Sequence, residues 1–282
     1  MATVTTSAPA PGLSPLAPAK GRAGFAGAVR SEWTKLRSVR STYWTLIALL
    51  LLSIGIGALI SWAAANHLNA HPGDKAGFDP TQTSLFLFLQ LGQLVITVLG
   101  ALAITSEYST GMIRTSLTMQ PRRGVVYAAK VAVFGLVTLV ISFFTSFVAF
   151  FVGQALMAST GIGATLSQPN VLRAVVGSAL LVFLAATFAF GLGAIFRHTA
   201  AAITTSIGML FVLRIIVHIL PDSWQHDIVR WLPSSASDIL TTTVGGGPQP
   251  NYFSPWAQFA VTVGWAVAAV VVGAILFKKR DA

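Results

Sequence analysis

Between Val171 and Phe196 the chain reads VLRAVVGSALLVFLAATFAFGLGAIF, an almost unbroken apolar run. It exceeds the roughly 20 residues that an α-helix needs to cross about 30 Å of hydrocarbon. Five further runs have the same character: Tyr43–Ala65, Leu85–Thr105, Val126–Leu156, Thr199–Leu220 and Trp256–Phe277. Their apolar residues are continuous, without the two-residue alternation of a membrane β-barrel. Since only helices and closed barrels satisfy their backbone in lipid, the sequence predicts an all-α polytopic membrane protein with six transmembrane helices.

The amino-acid composition excludes several kinds of functional site. Of the 282 residues 54 % are hydrophobic, and the chain has no cysteine. Disulfides, thiolate chemistry and cysteine-bound zinc are therefore excluded. Residues 1–24 are rich in Ala, Pro, Thr and Ser without an apolar core, which predicts a disordered cytoplasmic tail rather than a signal peptide. Residues 25–282 are then expected to form one transmembrane domain.

The distribution of charge predicts the orientation. With both termini in the cytoplasm, all but four of the 18 lysines and arginines fall on the cytoplasmic side of the six crossings. The exceptions are Lys75, Arg173 and Arg230 outside and Arg214 within the fifth run. This asymmetry obeys the positive-inside rule, and the opposite topology would invert it. The net charge of +10 is thus explained by membrane orientation, and a nucleic-acid partner is not expected because no soluble basic face exists.

Residues 25–42 precede the first run and have an amphipathic pattern. Phe25, Val29, Trp33 and Leu36 recur at helical spacing. The other face carries basic and hydroxyl side chains, namely Arg30, Lys35, Arg37, Ser38 and Ser41. A basic helix with an apolar stripe lies flat in the membrane interface. The pattern therefore predicts an elbow helix that contacts lipid along the cytoplasmic leaflet. The alternative is a frayed extension of the first span.

The longest predicted cytoplasmic loop, SEYSTGMIRTSLTMQPRRG, covers residues 106–124. It combines apolar and charged side chains, and Pro121 stops any helix that begins near Ser109. The apolar members are Tyr108, Met112 and Leu117, and the charged members are Glu107, Arg114, Arg122 and Arg123. Such a short mixed helix, tied to two spans, suits the docking of a cytoplasmic partner. The alternative is a loop that is basic only because of its topology.

Polar groups inside the predicted spans require a reason, because a buried charge is costly in lipid. Arg214 and His218 lie four residues apart near the outer end of the fifth run, and no acid lies in any run. Either Arg214 snorkels to the outer surface, or it faces an outward substrate cavity. The amides that would share this cavity are Gln90, Gln93 and Gln154. The missing buried acids argue against an ion-coupled carrier.

The segment from Pro221 to Pro255 differs from the other outer links. Trp224, Ile228 and Trp231 occur at helical spacing, and tryptophan favours the membrane boundary. The pattern predicts short helices that dip into the outer leaflet before the last span. His226 and Asp227 there, and the loop histidines 67 and 71, are expected to be solvated. We therefore predict no catalytic residues and no metal site, and the chain is not expected to be an enzyme.

The segment SEWTKLRSVRSTYW (residues 31–44) resembles the elbow helix of bacterial ABC-2-type transporter permeases, particularly actinobacterial ones. Residues 106–124, followed by AAK, are similar to the loop that couples such permeases to their ATP-binding subunit. The order of parts is similar as well: elbow, six spans and a helical outer segment before the last span. The resemblance covers about residues 25 to 280.

This resemblance implies a set of roles. The elbow residues would frame the ATPase docking surface: Glu32, Trp33, Lys35, Leu36 and Arg37. The coupling loop would use Glu107, Tyr108, Gly111, Met112, Arg114, Pro121, Arg122 and Arg123. Gly111 would relieve crowding at the turn into the coupling helix.

The resemblance also implies partners and a location. ATP and Mg would bind a separate cytoplasmic ATPase subunit, because this chain has no phosphate-binding loop. A second permease copy, identical or not, would complete the unit in the bacterial cell membrane, with both termini cytoplasmic. The expected function is export of a hydrophobic or amphiphilic cargo. A drug or antibiotic is preferred, whereas lipid, peptide and polysaccharide cargoes remain alternatives.

Three other classes compete with export. A membrane anchor or sensor would use the elbow and loop to recruit a cytoplasmic protein without transport. An ion-coupled carrier would need buried acids that the runs do not contain. An intramembrane enzyme would need a nucleophile and base paired within the spans. A neighbouring gene for a soluble ATPase would favour export over all three.

Overall fold

A computed structural model describes residues 24–38, 40–120, 122–244 and 252–280. The described residues are mostly helical and contain no strand, and six helices are long and apolar enough to cross a membrane. The predicted all-α polytopic fold is therefore confirmed. The expected tail up to residue 23 and Pro121 lie outside the described residues. The six long helices are α2 (Tyr43–Ala70), α3 (Pro80–Ser109), α5 (Arg123–Thr160), α6 (Val171–Phe196), α7 (Thr199–Ile219) and α10 (Pro255–Lys279).

Four shorter helices complete the described fold: α1 (Phe25–Ser38), α4 (Met112–Met119), α8 (Asp222–Ile228) and α9 (Ala236–Thr241). Helix α1 is described from Phe25 to Ser38, and the helix that leads into α2 is described from Arg40 onwards. We call the end of the bundle that carries α1 and α4 the elbow end. The opposite end, which carries α8 and α9, is called the loop end.

Helix α6 lies at the centre of the bundle. Of its 18 most apolar consecutive residues 72 % are buried, against 22 % in the corresponding stretch of each of α2, α7 and α10. Small residues let its neighbours approach. A Cβ at Gly191 would lie 2.6 Å from the backbone carbon of Ala269 on α10, and one at Gly100 of α3 would overlap the carbonyl of Ala186. Glycine therefore allows backbone contact on two sides of α6, as expected where lipid provides no hydrophobic drive for association.

Three of the long helices contain a π-helical turn, which the apolar runs did not predict. The turns are Leu51–Ile56 in α2, Phe88–Gly92 in α3 and Gly208–Val212 in α7. The first two pack on each other, and a Cβ at Gly92 would lie 3.4 Å from Ser53 Oγ. Such turns occur often at functional sites of α-helices. Hydropathy cannot detect them because they change the direction of side chains without changing their polarity.

The loop-end segment forms short helices, as its tryptophan spacing predicted. Helix α8 continues into a 3-10 turn from Val229 to Trp231. Hydrogen bonds attach the segment to α10: Gln258 Nε2 donates to Arg230 O at 2.7 Å, and Trp265 Nε1 donates to Trp231 O at 2.9 Å. Trp224 and Trp231 are exposed.

The loop histidines lie at the end of α2. The helix continues to Ala70 and so contains His67, because Pro72 and Gly73 interrupt the chain only after that turn. The rings of His67 and His71 stack with centroids 4.7 Å apart. Within the described chain, no group of three or more potential metal ligands is found.

Asp79 ties the segment after α9 to the start of α3. Its carboxylate caps α3 by accepting from Gln82 N at 2.9 Å. It also accepts from Thr243 N at 2.6 Å, Thr243 Oγ1 at 2.8 Å and Val244 N at 3.0 Å. Asp79 is buried. One side chain therefore satisfies backbone donors from two distant parts of the sequence.

We expect Asp79→Ala to destabilise the protein by about 1–3 kcal/mol, because buried donors lose a charged acceptor. Residues that follow α9 should then become sensitive to limited proteolysis. Asp74→Ala is the matched control, since Asp74 lies in the same link but is exposed. Thermal unfolding in detergent and protease mapping provide the measurements. Identical behaviour of the two variants would contradict this role for Asp79.

Candidate functional site

Four charged side chains meet at the elbow end, where α1, α3 and α5 converge. Lys130 Nζ on α5 donates to Glu32 Oε2 of α1 at 2.6 Å and to Glu107 Oε1 of α3 at 2.5 Å. Lys35 Nζ donates to Glu32 Oε1 at 2.7 Å and lies 3.4 Å from Glu107 Oε1. We call Glu32, Lys35, Glu107 and Lys130 the ion cluster. It joins three helices that are far apart in sequence.

The ion cluster is largely withdrawn from solvent. Lys130 is 4 % exposed, and Glu32 and Glu107 are each 7 % exposed. Removing charges from water is costly, and their attraction offsets this only when the geometry and hydrogen bonds are good. Here each lysine contacts both carboxylates, and the two positive charges balance the two negative ones. The arrangement satisfies the condition under which a buried ionic group is tolerated.

Helix α4 is joined directly to this cluster. Lys35 Nζ donates to Ser116 Oγ of α4 at 2.9 Å. Gly111 precedes the helix with φ of 71°, in the left-handed region that favours glycine. Ile113 is buried and Leu117 packs against the core, whereas Arg114 is exposed. The helix therefore has one anchored face and one free face.

A second set of contacts ties together the chain segments at the elbow end. The Arg197 guanidinium lies 5.0 Å from the centroid of the Tyr108 ring, within the range of a cation–π interaction. Arg197 also contacts Arg280 O at 3.3 Å, and Arg123 Nη1 donates to the same oxygen at 2.9 Å. Together these contacts connect α3, α5, the α6–α7 turn and the end of α10.

Several residues that the sequence pattern singled out do meet here. The structure brings together Glu32, Lys35 and Glu107, and it places Trp33, Arg37 and Arg122 on exposed positions of the same end. Leu36 and Met112 line a cavity beside the cluster.

Lys130 and Ser116 were not assigned a role from the sequence. Lys130 was placed among the basic residues of the cytoplasmic side, and it also falls within the third apolar run. The structure buries it against Glu32 and Glu107 instead. The sequence could have indicated a buried ion pair at this position, because a lysine inside an apolar span requires a partner.

The structure gives Arg214 an acidic partner that the sequence did not indicate. Both sequence interpretations left it without an acidic partner, but Arg214 pairs with Asp238 of α9 and donates to Ser237 Oγ at 3.2 Å. The acid comes from outside the spans, because α9 folds back against the bundle. His218 Nδ1 lies 2.9 Å from Arg214 O.

Tyr252 completes the Arg214 site. Its hydroxyl donates to the second carboxylate oxygen of Asp238 at 3.2 Å. Burial, followed by the adjacent Asp238 carboxylate, raises the pKa of Tyr252 to about 12. Its hydroxyl therefore remains protonated and keeps donating even at a pH near 10, where an ordinary tyrosine begins to ionise. The site attaches α7 to the loop-end segment.

The three amides expected to share a cavity with Arg214 have separate surroundings. Gln154 Nε2 donates to Pro80 O at 3.0 Å and to Ser84 Oγ at 2.8 Å, while its Oε1 accepts from Ala164 N at 2.7 Å. It therefore clamps α5 to α3. Gln93 lines a hollow of about 10 Å³, no larger than one water molecule needs. Gln90 is half-buried within the π-helical turn of α3.

The six long apolar helices define a multi-pass membrane protein of the all-α class. The chain belongs to the ABC-2 transporter family, since residues 36–282 match the family described as ABC-2 family transporter protein. The resemblance inferred from the elbow and loop motifs is thereby confirmed. No curated protein matches the chain. A permease of this family is a transport subunit and is not itself catalytic.

Proposed function

We propose that this chain is the permease subunit of an ATP-driven exporter in a bacterial cell membrane. ATP and Mg bind a partner ATPase, and two permease halves with two ATPase subunits form the functional unit. The cargo is hydrophobic or amphiphilic, with a drug or antibiotic preferred. Family membership supports the partnership, because permeases of this family typically work with an ATP-binding subunit.

The ion cluster is the observation that carries this proposal. A force on α4 reaches α1 through Ser116 and Lys35, and it reaches α3 and α5 through Glu107 and Lys130. Buried charge pairs resist separation, since an unpaired charge would be left in a poorly solvated site. The elbow and loop helices therefore move as one body with the ends of two spans. This is the property that a coupling device requires.

The exposed face of α4 is the proposed docking surface. Arg114 on α4 and the nearby Arg122 are exposed, whereas Ile113 faces the core. Positive charge at this end agrees with a cytoplasmic location under the positive-inside rule. An acidic patch on an ATPase would complement it and accelerate association.

The exposed Phe25 and Trp33 of α1 suit contact with membrane lipid.

The test compares two charge reversals in nanodiscs, with copurification and stimulated ATPase activity as readouts. We expect the Arg114→Glu, Arg122→Glu variant to lose both by at least about tenfold, because like charges would face an acidic partner. The matched control is Lys278→Glu, Lys279→Glu, which changes the same number of charges at the exposed end of α10.

Equal ATPase binding and turnover by both variants would overturn the docking surface on α4. If no ATPase copurifies with the wild-type chain, the anchor or sensor function replaces export. Insertion and folding of each variant are verified by monodisperse size-exclusion profiles, so that a loss of coupling is distinguished from a loss of fold.

A further inference from the structure

A cavity of about 250 Å³ lies beside the ion cluster, between α1, α3 and α5. Its walls are mainly apolar and include Leu99, Leu102, Val133, Phe134 and Val137. Its polar end is formed by the four members of the ion cluster. A mostly apolar cavity with a few convergent polar groups is the usual form of a small-molecule site.

One carboxylate oxygen of the ion cluster has no partner among the described residues. Glu107 lines the cavity and is 7 % exposed. Its Oε1 accepts from Lys130 and lies near Lys35, but its Oε2 is buried and has no hydrogen-bond partner among the described residues. Both oxygens of Glu32 are occupied by lysines. A buried carboxylate oxygen without a donor is costly, so a donor that reaches Glu107 Oε2 from the cavity would stabilise the ion cluster.

The charge of the cluster determines the kind of donor that fits. Two lysines already balance two glutamates. An ammonium or carboxylate headgroup would bring an unbalanced charge into a poorly solvated site, and its desolvation would not be offset by a new counter-charge. A neutral hydroxyl donates to Glu107 Oε2 without disturbing this balance.

We propose that this cavity binds an amphiphile with a neutral hydroxyl headgroup and a single apolar chain. The hydroxyl donates to Glu107 Oε2, and the chain lies against the apolar walls formed by α3 and α5. The volume of about 250 Å³ lies just below the roughly 300–1,000 Å³ of common ligand sites, and it suits one apolar chain better than two. This inference concerns binding to the permease alone and does not depend on an ATPase.

The test uses three medium-chain probes with the same photoreactive diazirine and a terminal alcohol, amine or carboxylate. Each is added to the full chain in phosphatidylcholine nanodiscs, and labelled residues are identified by mass spectrometry. We expect the alcohol to label the α3 and α5 walls at least about tenfold more than the charged probes, as one hydrogen bond to a charged group allows. Excess unlabelled alcohol should compete.

A pair of matched variants distinguishes the cavity from the lipid-facing surface. Ala103→Leu fills the cavity from its α3 wall without altering the ion cluster, whereas Ala132→Leu adds the same volume on the exposed face of α5. We expect labelling by the alcohol to fall at least about fivefold in the first variant, since the space is lost, and to persist in the second.

Three outcomes would overturn the proposal: equal labelling by all three headgroups, undiminished labelling of a folded Ala103→Leu variant, or labelling confined to lipid-facing positions. Each of these would leave export intact, because the nanodiscs contain no ATPase. Conversely, failure of an ATPase to copurify would leave the binding result standing.

Discussion

Lys130→Met is expected to destabilise the permease by about 3–5 kcal/mol, because breaking a buried ion pair leaves uncompensated charge. Glu32 and Glu107 would retain only Lys35, which lies 3.4 Å from the nearer oxygen of Glu107. The substitution keeps the length and apolar stem of the side chain, so lost packing contributes little. A melting temperature lower by roughly 10 °C in detergent is the expected measurement.

Lys279→Met is the matched control for this variant. Lys279 is exposed at the end of α10, and exposed charges contribute about 0–1 kcal/mol. The double variant Lys130→Met, Glu107→Gln should recover part of the loss, because it removes one of the two orphaned carboxylate charges. Equal melting of the Lys130 and Lys279 variants would contradict the buried cluster. A double variant as unstable as the sum of its single variants would contradict the pairing.

Gly191→Ala is expected to destabilise the bundle by about 1–3 kcal/mol or more, since overpacking forces the backbone to move. The added Cβ would lie 2.6 Å from Ala269 C and 2.7 Å from Val270 N of α10. These are backbone atoms, so no rotamer change can relieve the overlap. Helices α6 and α10 would have to separate. Thermal melting in detergent measures the loss.

Gly264→Ala is the control for this variant, and we expect it to raise the stability of the protein instead of lowering it. Gly264 lies on α10, and nothing lies within 4 Å of its added Cβ. Alanine there should stabilise the helix by about 0.5–1 kcal/mol, because glycine loses more backbone entropy on folding. The two variants therefore make the same chemical change with opposite expected effects. A rise in melting temperature for both would show that α6 and α10 do not approach as closely as described.

At the elbow end, the sequence predicted several residues of the candidate site but not the contacts between them. Glu32, Lys35 and Glu107 were singled out from motifs, yet their mutual contact was not predicted. Lys130 was counted as a topological charge, although it is buried between two carboxylates. A single sequence shows that a lysine in an apolar run needs a partner. It does not show which acid is near, because Glu32 lies 98 residues away along the chain.

At the loop end, the contact made by Arg214 also could not be predicted from the sequence. Its partner Asp238 was placed outside the spans and therefore was not considered. Only the return of α9 to the bundle brings the two together. The apolar walls of the cavity were likewise ordinary positions in two runs until α1, α3 and α5 packed around a common space.

The class of this protein and its six membrane-crossing helices could be predicted from the amino-acid sequence. These properties depend on local quantities: the length of apolar runs and the need to satisfy every backbone group in lipid. The pairing of buried charges, the glycine positions at which backbones touch, and the place of the cavity depend on how the helices pack. Those features depend on distances between residues remote in sequence, such as Lys130 and Glu32 or Gly191 and Ala269. Hydropathy contains no information about such distances, because many packings of the same six helices bury the same apolar surface.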